Sequence, residues 1–124
     1  MKEHILLIAG WKEGKELKQV LEKEGYYEIV LVTSVEQFNE MKIPGPVRLV
    51  IIDLDLPMVS NYFVAHLKKK TMAWIIGISS QKFHPQLEEA LRSDLFGVVR
   101  KPIDYSELFY CMKCIEDEKE HSAL

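Results

Sequence analysis

The chain has 124 residues, 48% of them hydrophobic and 28% charged, with a formal net charge of −3 and a pI near 5.8. That length suits one core and leaves no room for a second, so residues 1–124 read as a single domain with residues 119–124 as a frayed polar tail. The composition excludes a disordered chain, and the slightly acidic balance gives no general attraction to nucleic acid or to anionic membranes. The apolar run Ile5–Ala9 is too short for a signal-peptide core or a bilayer span. Two cysteines without a secretory signal point to a reducing cytoplasm.

Apolar runs alternate with amphipathic stretches along the chain. Ile5-Leu6-Leu7-Ile8-Ala9 reads as a buried strand. Residues 12–24 follow with helical spacing: Leu17, Val20 and Leu21 share a face, and Gly25 supplies the stop. Tyr27 to Val32 predicts a second strand. Ser34 and Gln37 form a capping-box pattern before a helix with Val35, Phe38 and Met41 inward, broken at Pro44-Gly45-Pro46. Leu49-Val50-Ile51-Ile52 is the most apolar strand and is placed centrally; it ends at Asp53, and Pro57 blocks its continuation. Residues 60–70 predict a helix with Tyr62, Phe63, Ala65, His66 and Leu67 inward, and Lys68-Lys69-Lys70 as a solvated end favoured by the helix dipole. Trp74–Ile78 predicts a fourth strand ending at Ser79-Ser80, and Pro85 opens a fourth helix over residues 85–93. Val98-Val99 centres a fifth strand ending at Lys101-Pro102. Asp104 with Glu107 then caps a last helix of about four turns.

The pattern is (βα)₅, a doubly wound α/β domain with a parallel sheet covered on both faces. Ligands of such sheets bind beyond the carboxyl ends of the strands. The residues to inspect are therefore Ala9-Gly10-Trp11, Thr33-Ser34, Asp53-Leu54-Asp55, Ser79-Ser80 and Lys101-Pro102. An isolated buried charge is costly, so an Asp53–Lys101 pair is expected on physical grounds whatever its use.

In order and spacing, the segments Ile5-Leu6-Leu7-Ile8, Leu49 through Pro57, Ile78-Ser79-Ser80 and Lys101-Pro102 resemble those of receiver domains of bacterial two-component response regulators, over residues 4–118. The resemblance implies a flavodoxin-like fold with strand order 2-1-3-4-5. It further implies Asp53 as the acceptor of a phosphoryl group from a histidine kinase or phosphotransfer protein, Ser79 as a hydrogen-bond donor to the phosphoryl oxygens, and Lys101 as their counter-charge before a cis Pro102. The family also carries two acidic residues at the end of the first strand that hold Mg²⁺. Ala9 and Gly10 stand there in this chain, which leaves Asp53, with Asp55, as a weak or absent Mg²⁺ site. Glu13 lies in the helix and is not counted as a replacement. Val98 replaces the aromatic residue that relays the signal in the family, and Met58 to Asn61 fill a loop that usually has glycines.

Several residues keep a plainer reading. Ser79 is as readily a turn hydroxyl. Trp11 either covers the pocket or is a surface aromatic. Cys111 and Cys114 read as helix-packing residues; a redox or metal role, with His121 as a further ligand, comes second. His4, His66 and His84 form no catalytic set, and no dinucleotide or Walker motif is present. The function expected is therefore a non-enzymatic signalling domain, phosphorylated weakly at Asp53. The alternative is a pseudo-receiver that binds a partner or dimerises without phosphorylation. Tyr105, Leu108, Phe109 and Met112 of the last helix are the candidate contact surface.

Overall fold

In the computed structural model, residues 3–81 and 87–122 are described, with side chains through residue 118. Five parallel strands form one sheet in the order β2-β1-β3-β4-β5. They are β1 (His4–Ile8), β2 (Ile29–Val32), β3 (Val47–Asp53), β4 (Trp74–Ser79) and β5 (Gly97–Arg100). This is the doubly wound, flavodoxin-like topology expected. Both faces of the central strands are buried, which explains their continuous apolar sequence. Leu6, Ile8, Val50 and Ile52 face one core with Phe38, Val64 and Leu67. Ile5, Leu7, Leu49 and Ile51 face the other, with Leu17, Leu21, Leu108 and Met112. The helices α2 (Val35–Glu40) and α3 (Asn61–Thr71) thus cover one face, and α1 (Trp11–Lys23) and α4 (Tyr105–Ser122) the other.

The caps form with one change of partner. Ser34 Oγ accepts from Gln37 N at 3.0 Å, but Gln37 Oε1 reaches back to Thr33 N and Thr33 Oγ1 rather than to Ser34 N. Asp104 Oδ1 accepts from the N–H groups of Ser106 and Glu107, and α4 continues to Ser122, past the four turns expected. The second strand is shorter than the sequence suggests: Tyr27 is exposed and Glu28 has a left-handed φ of 61°, so pairing starts at Ile29. The second helix stops at Glu40, before the Pro44 to Pro46 segment, because Met41 is already extended at ψ 154°.

One helical expectation is corrected and another refined. The inner face of α3 is Phe63, Val64 and Leu67, while Tyr62, Ala65 and His66 point outward. Ser60 caps the helix through Phe63 N, and that start sets the phase that turns Val64 inward. Between β4 and β5, the described part of the expected 85–93 helix is helical throughout: 3₁₀ at Leu87, α-helical at Glu88 and Glu89, and π-helical over Ala90–Asp94. Leu95 N donates to Ala90 O at 2.9 Å, the wider spacing that defines it. Pro85 lies outside the described residues. Ala90 N also donates to Asn61 Oδ1, which joins this segment to the start of α3.

Candidate functional site

The site is assembled from chain ends that the sheet brings together. Asp53 is the last residue of β3, paired in register with Ile78 of β4, and is only 5% exposed. Its two oxygens have separate partners. Oδ1 accepts from Asp55 N at 2.9 Å, closing a tight turn, and Oδ2 accepts from Lys101 Nζ at 2.9 Å. Lys101 follows β5, and its backbone N–H is held by Ser79 O at 2.9 Å. The Lys101–Pro102 peptide is cis. Leu54, between the two acids, packs under β4 against Gly77, where a side chain would meet Leu54 Cδ1 at 2.7 Å.

Lys101 does more than pair with Asp53. Its ammonium also lies 3.2 Å from Asp55 Oδ2 and 3.3 Å from Glu13 Oε2. Glu13 is therefore a site residue that the sequence reading set aside. It sits in the first turn of α1, whose N-terminus adjoins the end of β1, and helical side chains lean toward the N-terminus. An acid in the first turn of the helix after β1 is the signal that could have found it. Among the described residues, the buried atoms Glu13 Oε1 and Asp55 Oδ1 have no hydrogen-bond partner. Asp55 Oδ2 also accepts from Ser80 N at 2.9 Å, tying the end of β3 to the end of β4.

The electrostatics follow from this geometry. Burial disfavours the charged form of Lys101, yet the hydrogen bonds to Asp53 and Asp55 and the nearby Glu13 outweigh it and raise its pKa. Burial likewise works against the Asp55 carboxylate, but the Ser80 N–H and Lys101 hold its pKa below the ordinary value.

Ser79 is fully buried at the end of β4. Its Oγ donates to Gln81 O at 3.1 Å and accepts from Gln81 N at 3.0 Å, so the hydroxyl shapes the turn after the strand. Trp11 is 66% exposed and borders a shallow surface of Lys15, Lys18, Gln19, Glu22 and Leu31. Met58, in the loop expected to lack glycine, takes a left-handed φ of 71°. A concavity of about 200 Å³ lies at the opposite end of the sheet, around Val47, Trp74, Met112 and Ile115, remote from Asp53.

The last helix offers less surface than expected. Leu108 and Met112 are buried in the core, because they fall on the face that covers β5 and β4. Tyr105 and Phe109 are half-buried and join Tyr26 in an aromatic row. Tyr110, which the sequence reading missed, is the exposed aromatic there. Burial raises the pKa of the Cys111 thiol, with Cys114 and Glu107 adding to it, the opposite of what a redox thiolate needs. Lys68 Nζ is bonded to Ala73 O at 2.7 Å, and Lys70 lies over the Phe38 ring, so the basic run at the end of α3 is partly folded back on its own domain.

A parallel doubly wound sheet with an acid–lysine pair beyond its carboxyl edge defines a flavodoxin-like α/β domain. Comparison with known proteins narrows this. The response regulator receiver domain family matches residues 14–113, most of the chain, and the chain belongs to that family. β1 and Ala9-Gly10 precede the matched stretch. Among solved structures, a CheY-like receiver domain protein from Methanospirillum hungatei is similar at 19% identity and a TM-score of 0.81, covering 98% of this chain and 99% of that one. The receiver domain of an HD domain-containing protein from Pseudomonas fluorescens has 18% identity and a TM-score of 0.80, with 98% and 99% covered. The response regulator TrrA from Thermotoga maritima, solved with Mg²⁺ and BeF, has 25% identity and a TM-score of 0.70, with 92% and 99% covered. No curated protein matches the chain.

The family implies Mg²⁺, and the residues present do not fit it. The positions at the end of β1 are Ala9 and Gly10, without donor side chains. The three carboxylates that converge here already surround an ammonium.

Proposed function

We propose that this receiver domain has Asp53 as its phosphoacceptor position and that its phosphorylation is slow and weakly dependent on Mg²⁺. The observation that supports this is the contact of the buried Asp53 Oδ2 with Lys101 Nζ at 2.9 Å. In the transfer, a carboxylate oxygen of Asp53 bonds to phosphorus as the bond from phosphorus to the donor nitrogen breaks. The histidine of a kinase or phosphotransfer protein leaves with the electron pair. Lys101 is poised to neutralise the added charge, and positioning and electrostatics carry most of such a reaction. Ser79 would have to give up its turn with Gln81 to donate to a phosphoryl oxygen. The setting proposed is cytoplasmic and the role one of signalling rather than turnover; no described helix is long and apolar enough to cross a membrane.

Acetyl phosphate with Mg²⁺, followed by intact mass, tests this. A partial, slow gain of one phosphoryl group that Asp53→Asn abolishes is the expected result. No gain at all overturns it. A second reading, a partner-binding module that works without phosphorylation, is favoured by the occupation of the acids by Lys101 and by Val98 at the relay position. Under that reading Asp53→Asn leaves partner binding and cellular output unchanged, and loss of either rules it out.

A further inference from the structure

The disagreement between this site and the metal its family uses has a definite form. Glu13, Asp53 and Asp55 come from α1, the end of β3 and the turn after it, and each places one oxygen within 3.3 Å of Lys101 Nζ. The Lys101 side chain is 20% exposed and that of Asp53 7%, so the ammonium is largely withdrawn from water into the group. Glu13 is the member peculiar to this arrangement: it approaches from the helix, one turn beyond the strand end where Ala9 and Gly10 stand.

We propose that Lys101 is the resident cation of this three-carboxylate cluster, held there by Glu13, and that a divalent ion can bind only by competing with it. A fixed ammonium excludes a second cation by charge and by volume, and its three short contacts take up one oxygen of each carboxylate. Glu13 thus acts as a positioning residue that keeps Lys101 centred. The inference rests on the receiver reading only for the choice of ion; the cluster itself is a property of this chain.

Binding of Mn²⁺ alone, without a phosphodonor, tests it by electron paramagnetic resonance or calorimetry. Lys101→Met is expected to bind Mn²⁺ at least tenfold more tightly than the natural chain. Adding Glu13→Gln to Lys101→Met is expected to remove most of that gain. Equal affinity of the natural chain and Lys101→Met overturns the proposal, as does a double variant that keeps the full gain. A second measurement avoids reliance on the folding of Lys101→Met. In natural protein labelled with ¹⁵N-lysine, the Lys101 ammonium signal should stand apart from those of surface lysines and move in Glu13→Gln. An unmoved signal overturns the proposal. If Asp53 is never phosphorylated while the Mn²⁺ pattern holds, this inference stands and the phosphoacceptor reading falls.

Discussion

Asp55 and Lys101 give the site its pH behaviour. The Asp55 carboxyl titrates below its ordinary 3.8 because the Ser80 N–H and Lys101 outweigh its burial. Its stabilising contribution is therefore complete above 3.8 and is lost as pH falls through the lower folded value. Lys101 has the opposite sense: its raised pKa makes its contribution complete below 10.5 and lost only as pH rises through a still higher value. Asp55→Asn should cost about 1–2 kcal/mol at neutral pH and flatten the fall of Tm below pH 4, measured by thermal melts across an acid series. Gly77 sets a second residue-scale limit. A methyl group there would press on buried Leu54, which separates the two acids. Gly77→Ala should destabilise by about 1–3 kcal/mol in urea unfolding. The strand-end positions of Asp53, Ser79 and Lys101 were legible because apolar runs and Pro102 mark where strands end. Glu13 was not, since a helical side chain reaches the site only through its length and phase, which spacing alone does not display.

At the scale of the element, α2 has six residues, too short to persist alone, so packing must hold it. Phe38 is fully buried and meets Phe63 edge-on at 5.6 Å. Phe38→Ala should cost about 3–5 kcal/mol, read from chemical denaturation. The end of α3 is strained instead: Met72 is 81% exposed and caps the helix at a left-handed φ of 56°. Met72→Gly removes a Cβ clash while adding chain entropy to the unfolded state, and should stabilise by about 0.5–1 kcal/mol net. The strands were readable because a fully buried strand is a continuous apolar run. The α3 face was partly misassigned because Tyr62 and His66 are amphipathic and Ala65 is small, so that each fits either side. The π-helical spacing at Ala90–Asp94 carries no sequence period of its own.

Across the whole molecule, strand order and element length assign different mechanics to the two sides of the site. β3 has seven residues and pairs with both β1 and β4, so Asp53 ends a strand laddered on each flank. β5 has four residues and lies at the edge of the sheet, and Lys101 follows it. Amide hydrogen exchange should therefore be slowest in β1, β3 and β4 and faster in β5, as local opening concentrates where fewer contacts are lost. The site then resembles a vice with one jaw braced on both flanks and the other mounted at the margin. The carboxylate is the anvil, and the lysine is carried by the sheet's outermost rail. A partner that grips the margin formed by β5 and α4 could change the width of the gap at Asp53 without touching the aspartate.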